Sequence, residues 1–174
     1  MKLLAISGSL RKDSLNTKLL AQAAEIGGAK EVVFADLNIP LYDGDLENSQ
    51  GIPASVQTLF DQIMAADAVI IASPEYNQGI SGVLKNALDW VSRVKGKPWT
   101  DKPVALMHAA AGRTGGARAN YALRLVMAPF GAKMIQAPEI LIASAGKEFE
   151  TGTLTNERYL DALKTVMEKL AAEV

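Results

Sequence analysis

The sequence predicts an α/β protein built on a doubly wound parallel sheet of five strands, with helices on both faces. Three observations predict it. Short apolar runs that stop at Gly, Ser or Pro alternate from end to end with segments whose apolar residues recur at helical spacing. The 174 residues suit one compact domain and leave two cramped. A composition 49% hydrophobic and 21% charged is rich enough to fill a core on each side of a sheet.

Lys2 to Ser7 is an apolar run that ends at Ser7-Gly8-Ser9, as a buried parallel strand does. From Ser14 the apolar residues Leu15, Leu19, Leu20, Ala23 and Ala24 follow helical spacing until Gly27-Gly28. Glu31 to Ala35 reads as a second strand. Asp36 to Gly51 then breaks the rhythm: it is long, rich in Asp, Asn and Gly, and reads as an extended loop. Pro53 opens a helix whose stripe is Val56, Leu59, Phe60, Ile63 and Met64.

Asp67 to Ala72 is the clearest strand, ending at Ser73-Pro74. A helix from Ser81 to Val94 turns Leu84, Ala87, Leu88 and Val91 inward, and Lys95 to Lys102 is a polar connection. Pro103 to Ala111 is the fourth strand. The glycines Gly112, Gly115 and Gly116 open the next helix, with Leu123, Val126 and Met127 on its inner face. A fifth strand region is split by Pro138 into Lys133–Gln136 and Ile140–Ala143. Thr155 is placed to cap a last helix with the stripe Leu160, Leu163, Met167 and Leu170.

This βαβαβαβαβα string, with no repeat or linker, forms one domain over residues 1–174. Right-handed crossovers and five strands favour the flavodoxin-like order 2-1-3-4-5. Ligands of such sheets bind beyond the carboxyl ends of the strands, at the switch point between the first and third. The loops after strands 1, 3 and 4 are therefore where function is sought.

Composition excludes several chemistries. With no cysteine, there is no disulfide, thiolate zinc site, iron–sulfur cluster or Cys nucleophile. One histidine rules out a multi-His metal site within the chain, and no metal is expected. Eighteen basic and nineteen acidic residues give a charge of −1, which offers nucleic acid or an anionic membrane no electrostatic attraction. No stretch approaches the about 18 apolar residues of a membrane helix, and Met1-Lys2 leads directly into the first strand without a signal-peptide pattern. These features point to a soluble cytoplasmic protein with no membrane insertion.

Gly8-Ser9-Leu10-Arg11-Lys12-Asp13-Ser14-Leu15-Asn16 joins a buried strand to a helix N-terminus. Free amides and the positive end of the helix dipole favour an anion there. Ser9 and Ser14 add hydroxyls, Asn16 an amide, and Arg11 a planar cationic fork suited to phosphate. Neither Gly-x-Gly-x-x-Gly nor a Walker loop is present, and the acidic cluster of a receiver domain is missing. Taken singly, Ser14 reads equally as a plain N-cap and Arg11 as a solvated surface residue. Together, in a loop at the ligand edge, they favour phosphate.

Ser73-Pro74-Glu75-Tyr76-Asn77-Gln78-Gly79 offers a stiff exit, a flat ring and an amide, which suits a planar heteroaromatic ligand; the same residues also read as an ordinary turn. Ala109-Ala110-Ala111 and the following glycines let backbone approach a ligand closely. His108 lacks an acidic neighbour in sequence and reads as a strand-end residue rather than a base. No serine sits in a nucleophile elbow. Lys85 and Asp89 are spaced for a helical ion pair. Trp90, off the inward stripe, reads as an exposed ring and a subunit contact.

These residues resemble the NAD(P)H-dependent FMN reductases of flavodoxin-like fold, a family that includes bacterial quinone and chromate reductases. The matching motifs are Gly8-Ser9-Leu10-Arg11-x-x-Ser14-x-Asn16, Ser73-Pro74-Glu75-Tyr76-Asn77, Gly82-x-Leu84-Lys85-Asn86-Ala87-x-Asp89-Trp90 and Gly115-Gly116-Ala117-Arg118. The resemblance implies non-covalent FMN, its phosphate held by Ser9, Arg11, Ser14, Asn16 and Thr17. Pro74, Glu75, Tyr76, Asn77 and Gln78 would line the isoalloxazine, with the backbone near Ala110 at its other edge. It implies a homodimer or homotetramer, with Tyr121 and Glu139, and Arg93 or Arg118, in a polar contact between subunits. Relatives often carry Ser or Thr where this chain has Ala109-Ala110-Ala111, which removes a hydroxyl contact to the ring.

The implied reaction is ping-pong. NADPH or NADH gives hydride to the flavin N5 and leaves; a small-molecule electron acceptor (quinone, azo or nitro compound, chromate or free flavin) then takes the electrons. No side chain is required as acid or base, so no catalytic residue is assigned. The alternatives are a flavodoxin-type one-electron carrier, against which the near-neutral charge and Arg11 both speak, and a flavin-binding regulatory protein.

Overall fold

A computed structural model describes residues 1–174. Its elements run β1 (Lys2–Ser7), α1 (Leu15–Ile26), β2 (Glu31–Phe34), α2 (Gly44–Gln50), α3 (Ala54–Ala65), β3 (Ala68–Ala72) and α4 (Gly82–Val91). They continue through β4 (Pro103–Ala109), α5 (Ala117–Met127), β5 (Lys133–Met134), β6 (Ile140–Ile142), α6 (Ala145–Glu148) and α7 (Glu157–Ala172). The sheet order is β2-β1-β3-β4-β5, all parallel, and β6 also pairs with β4. The fifth position is thus shared by two short strands. β5 meets the start of β4 and β6 its end, with Pro138 in the connection between them.

The apolar runs are continuous because successive side chains feed two separate cores. Leu3, Ala5, Ile70 and Met107 pack under α1 and α7 on one face. Leu4, Ile6, Val69, Ile71, Val104 and Leu106 pack under α3, α4 and α5 on the other. Registers such as Ser7 opposite Ala72 and Ala72 opposite Met107 bring the carboxyl ends of β1, β3 and β4 level. The three loops singled out from the sequence therefore leave the sheet side by side.

Three sequence-based expectations are corrected. The Asp36–Gly51 segment is not loop throughout, since α2 forms inside it. Asp43 caps that helix by accepting from the Asp45 N–H, and Asp45 and Glu47 sit in its first turn. No residue of α2 is buried, so it has no apolar stripe by which to be recognised. The last helix is capped by Asn156, which accepts from the Arg158 N–H, and not by Thr155. Trp90 is fully buried rather than exposed: its Nε1–H donates to the Pro40 carbonyl at 2.8 Å. The strap formed by residues 36–51 is what covers it.

Candidate functional site

β1 delivers its loop into α1 at the switch point. Ser14 caps α1, its Oγ accepting from the Thr17 N–H at 3.3 Å. Ser9 Oγ accepts from the Arg11 N–H at 3.3 Å, which folds the loop back on itself. The N–H groups of Leu15 and Asn16, in the first turn, make no hydrogen bond within the chain. Arg11 is exposed and pairs with no carboxylate. Ser14 is thus the N-cap of α1, and it also lines the cleft that the free amides border.

That cleft has a volume of about 270 Å³. Of the residues proposed from sequence, Ser9, Arg11, Ser14, Asn16, Pro74, Glu75, Tyr76 and Ala110 line it together. Thr17, Asn77 and Gln78 stand outside the lining. The Thr17 hydroxyl donates to Ser7 Oγ at 2.8 Å. Asn77 and Gln78 form the centre of a tight turn in which Tyr76 and Gly79 exchange backbone hydrogen bonds at 3.1 and 3.0 Å. Both have positive φ, 49° and 66°, which a turn with two left-handed central residues demands. Tyr76 is presented at the base of this turn and is 54% exposed.

Several side chains have work that the sequence did not disclose. The Asn16 amide is engaged with the backbone of Ala109, so what Asn16 offers the cleft is its N–H. Glu75 accepts from the Arg118 and Ala119 N–H groups at 3.0 and 3.1 Å and so caps α5, whose own N-cap is Gly116. Ala110 is spent within the fold: its N–H donates to the Ile142 carbonyl and its carbonyl accepts from the Ala145 N–H. It lines the cleft by contact, and the unengaged backbone donor on that wall is the Ala111 N–H. Ala145 and Gly146, not anticipated from sequence, complete this wall from the start of α6. Their signal was topological: they follow β6, the neighbour of β4.

His108 is fully buried on β4, with Nδ1 2.8 Å from the Ser73 carbonyl. Burial pushes its pKa down to about 4, so the ring is neutral and forms no part of the cleft. The strap packs on α4 instead of the cleft. Asn86 accepts from the Tyr42 N–H and donates to the Pro40 carbonyl, while Tyr42 sets its ring edge-on to Trp90. Arg93 pairs with Glu47 of the same strap at 3.0 Å and holds that carboxyl below its ordinary range. The Tyr42 hydroxyl, donating to Glu47, is pushed up. Lys85 and Asp89 form the expected ion pair at 2.7 Å. Glu139 accepts from Asn120 at 2.7 Å, and Tyr121 is 62% exposed.

The cleft combines free helix-terminal amides, one unpaired guanidinium and a wall of alanines. The sequence profile described as NADPH-dependent FMN reductase matches residues 1–147. An NAD(P)H-dependent FMN reductase of Pseudomonas aeruginosa is 39% identical over 98% of this chain and 93% of its own length. A quinone reductase of Escherichia coli is 36% identical over 94% of this chain and 89% of its own. Among solved structures, a flavoenzyme NAD(P)H:(acceptor) oxidoreductase of Paracoccus denitrificans superposes with a TM-score of 0.86 at 32% identity. That superposition covers 99% of this chain and 96% of the other.

Proposed function

This chain belongs to the NADPH-dependent FMN reductase family, and from that membership we propose that it binds FMN non-covalently in the cleft beyond β1, β3 and β4. The reading is carried by one juxtaposition: the unengaged Leu15 and Asn16 amides and the unpaired Arg11 face one space. A phosphate monoester carries close to two negative charges, and this donor set matches it. The alanine wall and the Tyr76 turn leave a slot open to solvent, suited to a flat ring with one accessible face.

When bound in that slot, FMN would supply two-electron chemistry, taking up hydride from NADPH or NADH and delivering the electrons to a quinone, azo, nitro, chromate or free-flavin acceptor. The chain's part is to bind and orient. Arg11, Ser9 and the α1 amides hold the phosphate end, and Pro74, Glu75 and Tyr76 support the ring side. The Ala111 N–H is the donor offered at the opposite edge. One open face serves both substrates in turn, which predicts ping-pong kinetics.

We place the protein in the cytoplasm as a homodimer or homotetramer. No helix is long and apolar enough to cross a membrane. Tyr121 and Leu125, one turn apart on α5 and both exposed, form an apolar stripe suited to a second copy. Light scattering of the purified protein reads the assembly. Titration with FMN and with riboflavin, followed by NADPH and NADH oxidation against a benzoquinone, tests the function. The expected result is tight FMN binding and parallel double-reciprocal lines. A protein that binds no FMN defeats the reading, and a stable blue semiquinone on dithionite titration favours the one-electron carrier.

A further inference from the structure

Ser73 follows β3 directly and starts the loop proposed to support the ring, and each of its polar groups is engaged. Its N–H donates to the Met107 carbonyl at 3.3 Å, and its Oγ donates to the Pro74 carbonyl at 2.9 Å. The same Oγ accepts from the Ser81 N–H at 3.4 Å. Its carbonyl faces His108 Nδ1 at 2.8 Å. A carbonyl only accepts, so Nδ1 carries the proton and Nε2 is left as a bare acceptor. Nε2 is buried and has no partner. An apolar side chain would fill this volume without that orphan. What the imidazole adds to packing is therefore the bond to Ser73.

Two further contacts place that bond in a frame. Gly116, at the mouth of α5, lies so close that a Cβ there would stand 2.7 Å from His108 Cβ. Glu75, two residues after Ser73, is held by the first-turn amides of the same helix. The segment Ser73–Glu75 is thus pinned at one end by β4 and at the other by α5, with Pro74 between the pins and Tyr76 immediately beyond.

We propose that His108 is a positioning residue for the ring-side loop, fixing the Ser73 carbonyl and through it the stance of Pro74 to Tyr76 against the cleft. The proposal rests on the flavin reading above. His108 does not touch the cleft, so it acts only through Ser73.

The test compares His108→Leu with His108→Asn, whose amide nitrogen falls near the Nδ1 position and restores the donor. Three quantities are read: backbone hydrogen exchange over residues 73–79 without flavin, dissociation constants for FMN and riboflavin, and the midpoint potential of the bound flavin. The Leu variant should exchange faster across this loop and lose about tenfold in affinity for both flavins alike, since the phosphate site is intact. Its midpoint potential should move as well. The Asn variant should return all three towards wild type. Should the Leu variant not fold, His108→Gln, whose nitrogen lies near the Nε2 position, provides the contrast with Asn. Wild-type exchange and affinity in the folded Leu variant, or the absence of rescue by Asn, overturns the proposal. If the wild-type protein binds no flavin, the cofactor reading fails, and the exchange comparison still decides whether His108 holds the loop.

Discussion

The side-chain amide of Asn16 bridges α1 to the backbone of Ala109 at the end of β4, donating to its carbonyl at 3.0 Å and accepting from its N–H at 2.9 Å. Asn16 is buried, so no water replaces either partner. The bond pair closes the sheet edge behind the cleft and holds the alanine wall level with the α1 N-terminus. Asn16→Ala leaves both backbone groups of Ala109 unsatisfied and should cost about 2–4 kcal/mol. Asn16→Asp should also destabilise, because it places an acceptor against the Ala109 carbonyl. Urea unfolding monitored by far-ultraviolet dichroism measures both. A change within ~0.5 kcal/mol for either variant would show the bridge to be dispensable.

Arg11 is the one full charge offered to the proposed phosphate. Arg11→Gln should weaken FMN binding by about tenfold or more, as loss of a charge-assisted hydrogen bond does, and leave riboflavin binding unchanged. The ratio of the two dissociation constants, followed by quenching of flavin fluorescence, isolates the phosphate end from the ring side. Raising the salt concentration should narrow the difference between the two flavins in wild type and have less effect in the variant. Equal losses for both flavins would place Arg11 elsewhere than at a phosphate.

The central strands β1, β3 and β4 were legible because each is buried on both faces and bounded by a turn residue, a pattern that few alternatives satisfy. The strand order followed from the crossover rules, and the loops that meet at the cleft followed from the strand order. What stayed hidden has physical reasons. α2 has no buried face, so it carries no periodicity. Trp90 looked exposed because its cover, the strap through Pro40 and Tyr42, is about fifty residues away in sequence, and no spacing rule reaches that far. The roles of Asn16 and Glu75 were hidden for the opposite reason. Both side chains suit a ligand, and only the fold reveals that each already serves a backbone group, on β4 and on α5.

His108 makes stability depend on pH in a definite direction. The unfolded chain protonates this ring near its ordinary value of 6.5, whereas in the fold burial depresses it to about 4. Between these values the unfolded state binds more protons, so stability rises with pH across the window. The contribution is complete above about pH 6.5 and is lost progressively as pH falls towards 4. The difference amounts to on the order of 3 kcal/mol. The bond to the Ser73 carbonyl and, more weakly, the Glu75 charge oppose the depression, and Arg124 adds to it, all more weakly than burial. Chemical denaturation at pH 7 and pH 4.5, for wild type and His108→Asn, isolates this ring from the carboxylates. The variant should show a shallower fall, and an equal fall in both would assign the acid sensitivity to other groups.

At Gly115 the loop after β4 packs directly against the backbone of β6. Its φ is +63°, and a Cβ at this position would stand 2.6 Å from both the carbonyl carbon and the carbonyl oxygen of Leu141. Neither atom has a flexible tail that can swing aside, because Leu141 is held in β6 against His108 of β4. Left-handed backbone in a residue with a Cβ already costs on the order of 1–3 kcal/mol, and here relief requires β6 to move away from β4. Gly115→Ala should therefore exceed the penalty of an ordinary glycine replacement, by about 2 kcal/mol or more in total. Because β6 leads into Ala145 and Gly146 at the cleft, its displacement should also weaken FMN and riboflavin together. Gly112→Ala, where the added Cβ meets nothing within 4 Å, provides the control. Thermal unfolding of the two variants decides the matter: similar midpoints would mean that the approach of Gly115 to Leu141 does not constrain the fold.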